Sequence, residues 1–229
     1  SEVERTDREG VATLTLNRPE SLNALSPQLF VELRAHVDAI AKDTDGIGCV
    51  ILCGAGKSFS SGNDLRAIQA GETAPTPEFQ AETLDAIEAM PQPVVAAVRG
   101  HCYTGALEVV LACDLLIASD SAKFSDTHGK WGMTPTWGMS QRLPRRVGLL
   151  NAKDMMFTGR VVLDARAAEL AAAIAANSWY TLRADKQLVN EGQRYTLADG
   201  LAFERANSFG ATPDTMKRLK EFGGRKKKS

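Results

Sequence analysis

Long apolar runs, paired cysteines and a surplus of either charge are all missing from this chain of 229 residues. No stretch approaches the ~18 consecutive apolar residues of a membrane span. The opening SEVERTDREG is charged and has no apolar segment of the kind a signal peptide carries. The expectation is a soluble cytoplasmic protein. Lys and Arg number 27 against 28 Asp and Glu, a net charge of -1, so no global field favours nucleic acid or an anionic membrane as partner. The one basic run, Arg225, Lys226, Lys227 and Lys228, is terminal, and such runs are usually solvated tails. Cys49, Cys53, Cys102 and Cys113 form no CxxC pair and sit in apolar runs. They read as small buried hydrophobes in a reducing compartment, not as disulfides or metal ligands.

Several catalytic signatures are also lacking. GAGKS at 54–58 follows a strand-like run, but a P-loop needs a glycine five residues before Gly56, where Ile51 stands. No GxSxG nucleophile elbow and no HExxH occur, and His36, His101 and His128 are scattered without metal-ligand spacing. No metal and no dissociable cofactor are expected.

What is present is an ordinary globular composition, 44% hydrophobic and 24% charged, long enough for a sizeable core. VATLTLN at 11–17 alternates like a strand. Ser26 as cap and Pro27 at the first helical position then open a helix with Leu29, Phe30, Leu33, Val37 and Ile40 on one face. CVILCG at 49–54 is a continuous apolar run, which suggests a strand covered on both faces. AETLDAIEAM reads as helix, PVVAAVRG as strand, GALEVVLACD as helix and LLIAS as strand, whereas GETAPTPEF at 71–79 is expected to be mobile. Strand and helix alternate to about residue 120, an α/β pattern, and the later segments read as helix after helix. The division expected is a core over 1–170 and a helical portion over 171–229.

Two glycine turns stand out, SSGND (60–64) and YTGALE (103–108), each after a strand-like run, the second opening a helix. Glycine there lets backbone N–H groups approach a ligand oxygen, and the helix N-terminus adds partial positive charge. Two such amides on one carbonyl oxygen would form an oxyanion hole. Taken singly, each glycine reads as no more than a strand end. Glu108, in the first turn of an apolar helix, is either a dipole-satisfying acid or a buried base; burial would raise its pKa and the helix terminus would lower it.

Taken in order, LTLNRPESLNAL, GKSFSSGNDL, PVVAAVRGHCYTGALEVVLACDLLIASDSAKF and GMTPTWGMSQRLPRRVG resemble the signature segments of the enoyl-CoA hydratase/isomerase superfamily, the crotonase family. The resemblance covers most of residues 10 to 170 and continues weakly in AAAIAANSWYTLRADKQL. It implies a crotonase-like spiral of ββα units, an acyl-CoA thioester as substrate, a homotrimer or dimer of trimers with the trimerisation region in 171–229, and no cofactor beyond the coenzyme A of the substrate. It implies hydration of a 2-enoyl-CoA, a step of fatty acid metabolism. Thioester hydrolysis, decarboxylation or non-catalytic acyl-CoA binding are the alternatives. By the same resemblance, the amides of Asn63 and Gly105 form the oxyanion hole, and Ser61, Gly62, Asp64 and Leu65 belong to the substrate-binding loop, with Asp64 starting a short helix.

Three departures accompany the resemblance. Family hydratases hold a water between two glutamates; the first falls on Glu108, but the second position is His128. With an unperturbed pKa near 6.5, His128 can serve as acid or base beside Glu108, or it can be a pocket-lining residue satisfied by Asp126 or a backbone carbonyl. Where the family has GAGG this chain has TWGM (136–139), so Trp137 and Met139, with Trp131 and Met133, are expected to line the acyl pocket, although such residues are more often core. Finally, Leu170 runs straight into Ala171, where the family carries a further strand and connection, roughly twenty residues by usual element lengths.

Overall fold

The alternation at Val11–Leu16 makes strand β2, with Ala12, Leu14 and Leu16 buried. It pairs antiparallel with β1, Val3–Arg8, across a two-residue turn in which Glu9 and Gly10 both have positive φ, the primed geometry that suits a twisted hairpin. Strand β1 is not legible from hydropathy, because it is an edge strand whose only buried residue is Val3. In this computed structural model the described residues are 1–163, 184, 187–188, 190–191, 194–195, 197–208, 213 and 215–217.

Helix α1, Pro27–Lys42, starts as the sequence predicts: Leu29 N donates to Ser26 Oγ at 3.0 Å, and the five apolar residues of its stripe are all buried. It returns the chain to β3, Cys49–Gly54, which lies parallel to β2. Helices α2, Leu65–Ala70, and α3, Phe79–Ala89, precede β4, Val94–Val98, parallel to β3. Strand β5, His101–Tyr103, runs into α4, Gly105–Ala112, and then β6, Leu115–Ala118, joins β4 in parallel. The main sheet therefore reads β1-β2-β3-β4-β6. A second sheet is built from β5, the parallel β7, Lys123–Ser125, and the antiparallel β8, Val162–Leu163. Helices α5, Met139–Val147, and α6, Leu149–Thr158, lie between β7 and β8.

Two expectations change. Strand β3 is fully covered on one face only: Val50 and Leu52 are buried, while Cys49, Ile51 and Cys53 are half-buried. Apolar continuity arises here because the second face is shielded in part, and all four cysteines are free thiols, only Cys102 and Cys113 being buried. The region after β7 is also not helix alone, since β8 closes the small sheet. The chain divides into two compact units, Ser1–Ala171 and Ala172–Ser229. In the second, α7 spans Leu197–Asn207, and Tyr195 and Phe203 have ring centroids 5.3 Å apart. The Leu170–Ala171 junction, residues 171–183 of the expected helical portion and the basic run Arg225–Lys228 lie outside the described residues. Among the described residues no helix is long and apolar enough to cross a membrane.

One continuous apolar cluster ties the main sheet to α1, α3 and α4. Leu33 is wholly buried within it, so Leu33→Ala is expected to cost about 2–5 kcal/mol in urea unfolding. Ser26→Ala, losing the cap, should cost about 1 kcal/mol.

Candidate active site

The loop 59–63 is laid along β5 by backbone bonds: Phe59 N donates to Arg99 O, Ser60 N to His101 O and Tyr103 N to Ser60 O, at 2.7, 2.9 and 3.3 Å. Gly62 makes the approach possible. Its φ is +94° and a Cβ there would stand 2.5 Å from Tyr103 O, so an L side chain is excluded on both counts. On either side of Asn63 the chain is pinned to Leu25, which donates to Gly62 O and accepts from Asp64 N. Among the described residues the Asn63 amide itself donates to no protein acceptor, nor does that of Gly105, the first residue of α4. Two unspent N–H groups are thus left at the ends of two bonded segments, as an oxyanion hole requires.

Thr104, between β5 and Gly105, has φ +52° and ψ -111°, a strained backbone for a β-branched residue. Its own amide donates to Ser125 O, and its Oγ1 accepts from Thr127 N at 3.1 Å and contacts the Thr127 hydroxyl. These bonds hold the turn that presents the Gly105 amide.

Glu108, one helical turn on, is 1% exposed. Its Oε1 accepts two backbone N–H bonds, from Trp137 and Met139, both 3.0 Å. Its Oε2 faces His128 Nε2 at 3.8 Å. Arg142 secures the loop that supplies those amides: it donates to Trp137 O and to Asp85 and Glu88 of α3. His128 is buried as well, with Nδ1 2.7 Å from Asp126 Oδ1, which also accepts its backbone N–H at 3.1 Å. Burial pushes the Glu108 carboxyl above its usual range, opposed in part by the two amides and by His128. For His128, burial pulls the pKa down, but the Asp126 hydrogen bond and the charges of Asp126 and Glu108 outweigh it and leave it raised.

A cleft of about 890 Å³ opens beside this group. Ser61, Asn63, Asp64, Leu65, Trp131 and Met133 line it, together with Thr104 and Thr127, neighbours of Gly105 and His128, whereas Gly62, Gly105, Glu108 and His128 themselves are not among its lining residues. Asp64 is a structural part of its wall: it caps α2 through Arg66 N and Ala67 N and pairs with Arg18 at 2.8 Å. Trp131 is 59% exposed on the rim. Trp137 and Met139 do not line the cleft, contrary to the sequence expectation. The Trp137 ring packs edge-on to Phe30, centroids 5.0 Å apart, and so tightly on Gly105 that a Cβ there would be 2.5 Å from Cζ3. Met139 is fully buried. Their backbone N–H groups are what reach Glu108. Arg142 and the Thr104–Thr127 pair carry no motif that sequence reading detects, since each acts through contacts 5 to 57 residues away. The described residues hold no cluster of His, Cys, Asp or Glu placed to bind a metal.

The fold is that of a crotonase-fold protein, a spiral of strands and helices. The model of the enoyl-CoA hydratase/isomerase family matches residues 6–173, and the chain belongs to that family. It is 32% identical to the short-chain-enoyl-CoA hydratase of Clostridium acetobutylicum, over 89% of this chain and 87% of that one. The "Probable enoyl-CoA hydratase 1, peroxisomal" of Arabidopsis thaliana is also 32% identical, over 93% and 89%. The crystal structure of an enoyl-CoA hydratase from Bacillus anthracis superposes with a TM-score of 0.85 at 30% identity, covering 98% of this chain and 97% of that one.

Because the folded pKa of His128 is raised, its stabilising contribution is complete below the ordinary histidine range and fades as pH rises through the folded value. The melting-temperature advantage of wild type over His128→Gln should therefore be larger at pH 6 than at pH 9. Gly62→Ala should lose about 1–3 kcal/mol in urea unfolding, from strain and the clash with Tyr103 O.

Proposed function

We propose that this chain adds water across the double bond of a 2-enoyl-CoA thioester. The observation that carries the reading is the buried Glu108–His128 pair, facing across 3.8 Å, beside two unspent backbone amides. In the working form Glu108 is ionised and His128 protonated. The thioester oxygen accepts from Asn63 N and Gly105 N. Oε2 of Glu108 takes a proton from water, whose oxygen bonds to Cβ while the π pair moves onto the thioester as an enolate. Collapse of the enolate takes a proton from His128 Nε2 to Cα, and transfer from Glu108 to His128 then resets the pair. Atoms balance as enoyl thioester plus water giving a 3-hydroxyacyl thioester. The two amides stabilise the charge only as it develops, which is where binding energy lowers the barrier.

These steps use side chains and amides of this chain, with coenzyme A arriving as part of the substrate in the 890 Å³ cleft. A homotrimer, or a dimer of trimers, accompanies this reading, supported by the exposure of Leu149, Leu150 and Phe157 on α6. A cytoplasmic setting is supported by bacterial relatives such as the Clostridium protein.

The loss of enoyl-thioester absorbance tests the reaction. Glu108→Gln is expected to lower kcat by about 10²–10⁴-fold with KM nearly unchanged. Turnover should fall on the acid side as Glu108 gains a proton and on the alkaline side as His128 loses one, each limb above the ordinary range for its residue type. Acyl-CoA binding without absorbance loss would instead favour another enolate reaction or a binding protein.

A further inference from the structure

Asp126, like Glu108 and His128, is not among the residues lining the cleft; it is 1% exposed and spends one oxygen, Oδ1, twice on His128. A buried carboxylate is costly unless bonded; the ion pair recorded for Asp126 among the described residues is the one with His128, and the same Oδ1 accepts the first N–H of the short 3-10 turn His128–Trp131. These two hydrogen bonds set a direction. With the backbone N–H and Nδ1 of His128 both anchored on Oδ1, the ring cannot rotate about χ1 or flip, and Nδ1 must carry a hydrogen. Nε2 is then the atom presented to Glu108 Oε2.

We infer that Asp126 is a positioning residue for the acid of the hydration step: it fixes the orientation of the His128 imidazolium and keeps a hydrogen on Nδ1, so that Nε2–H is the proton delivered to Cα. This rests on the hydration reading. Without Asp126 a histidine at this position would rotate between Nδ1 and Nε2 and would be neutral more of the time in a buried site. The titratable groups acting on His128 are Asp126 and Glu108. Lys130, the nearest cation along the chain, directs its Nζ to Gly159 O at 2.7 Å.

The test uses Asp126→Asn, isosteric and still able to accept through Oδ1 but without charge, in the full chain. The expected result is a kcat–pH profile whose alkaline limb moves to lower pH, kcat about tenfold or more below wild type at pH 8, and KM unchanged within about twofold. NMR titration of the His128 ring should move in the same direction. The double variant Asp126→Asn/His128→Gln should be no slower than His128→Gln alone, because Asp126 acts through His128. An unmoved alkaline limb and ring titration in an active enzyme, or a double variant slower by the product of the two single effects, would overturn the proposal. A shifted ring titration in a wild type that hydrates nothing would overturn it together with the hydration reading, and the two failures are told apart by the titration.

Discussion

Everything chemical in this molecule hangs on Glu108 Oε1 receiving two backbone N–H bonds from Trp137 and Met139. An ionised carboxylate so deeply buried is costly unless bonded, and hydrogen bonds to a charged group are worth about 1.5–3 kcal/mol each. Those two amides are available because Arg142 grips Trp137 O and fastens the loop to Asp85 and Glu88 on α3. The Trp137 ring, wedged between Phe30 and Gly105, fixes the same loop from inside. With one oxygen held, the other has a single direction, toward His128.

A dry pocket favours neutral side chains, raising a carboxyl and lowering an imidazole. Alone, that would leave Glu108 protonated and His128 without its proton, the reverse of what water addition needs. The amides pull Glu108 back toward ionisation, and Asp126 together with the charge of Glu108 outweighs the effect of burial on His128. In the proposed mechanism the division of labour between base and acid is thus set largely by the neighbours of the pair.

Much of this was legible in the residues. Ser26, Pro27 and the apolar stripe announce α1, and Gly62 and Gly105 mark the two turns because only glycine tolerates what those positions demand. Local chemistry dictates such features, so sequence carries them. Strand β1 escaped because its polar side chains are those of an edge. Trp137 and Met139 were misplaced because residue type indicates bulk, whereas the fold uses their backbone. The strained Thr104, steadied by Thr127 from 23 residues away, and Arg142, reaching α3, depend on tertiary proximity that no periodicity encodes.

A crystal structure with acetoacetyl-CoA bound would test the central claim, that Asn63, Gly105, Glu108 and His128 act on one thioester. The account requires the thioester oxygen on the Asn63 and Gly105 amides at hydrogen-bond distance, with the β-oxygen between Glu108 Oε2 and His128 Nε2. A thioester seated away from those amides, or a β-carbon out of reach of the Glu108–His128 pair, would contradict it.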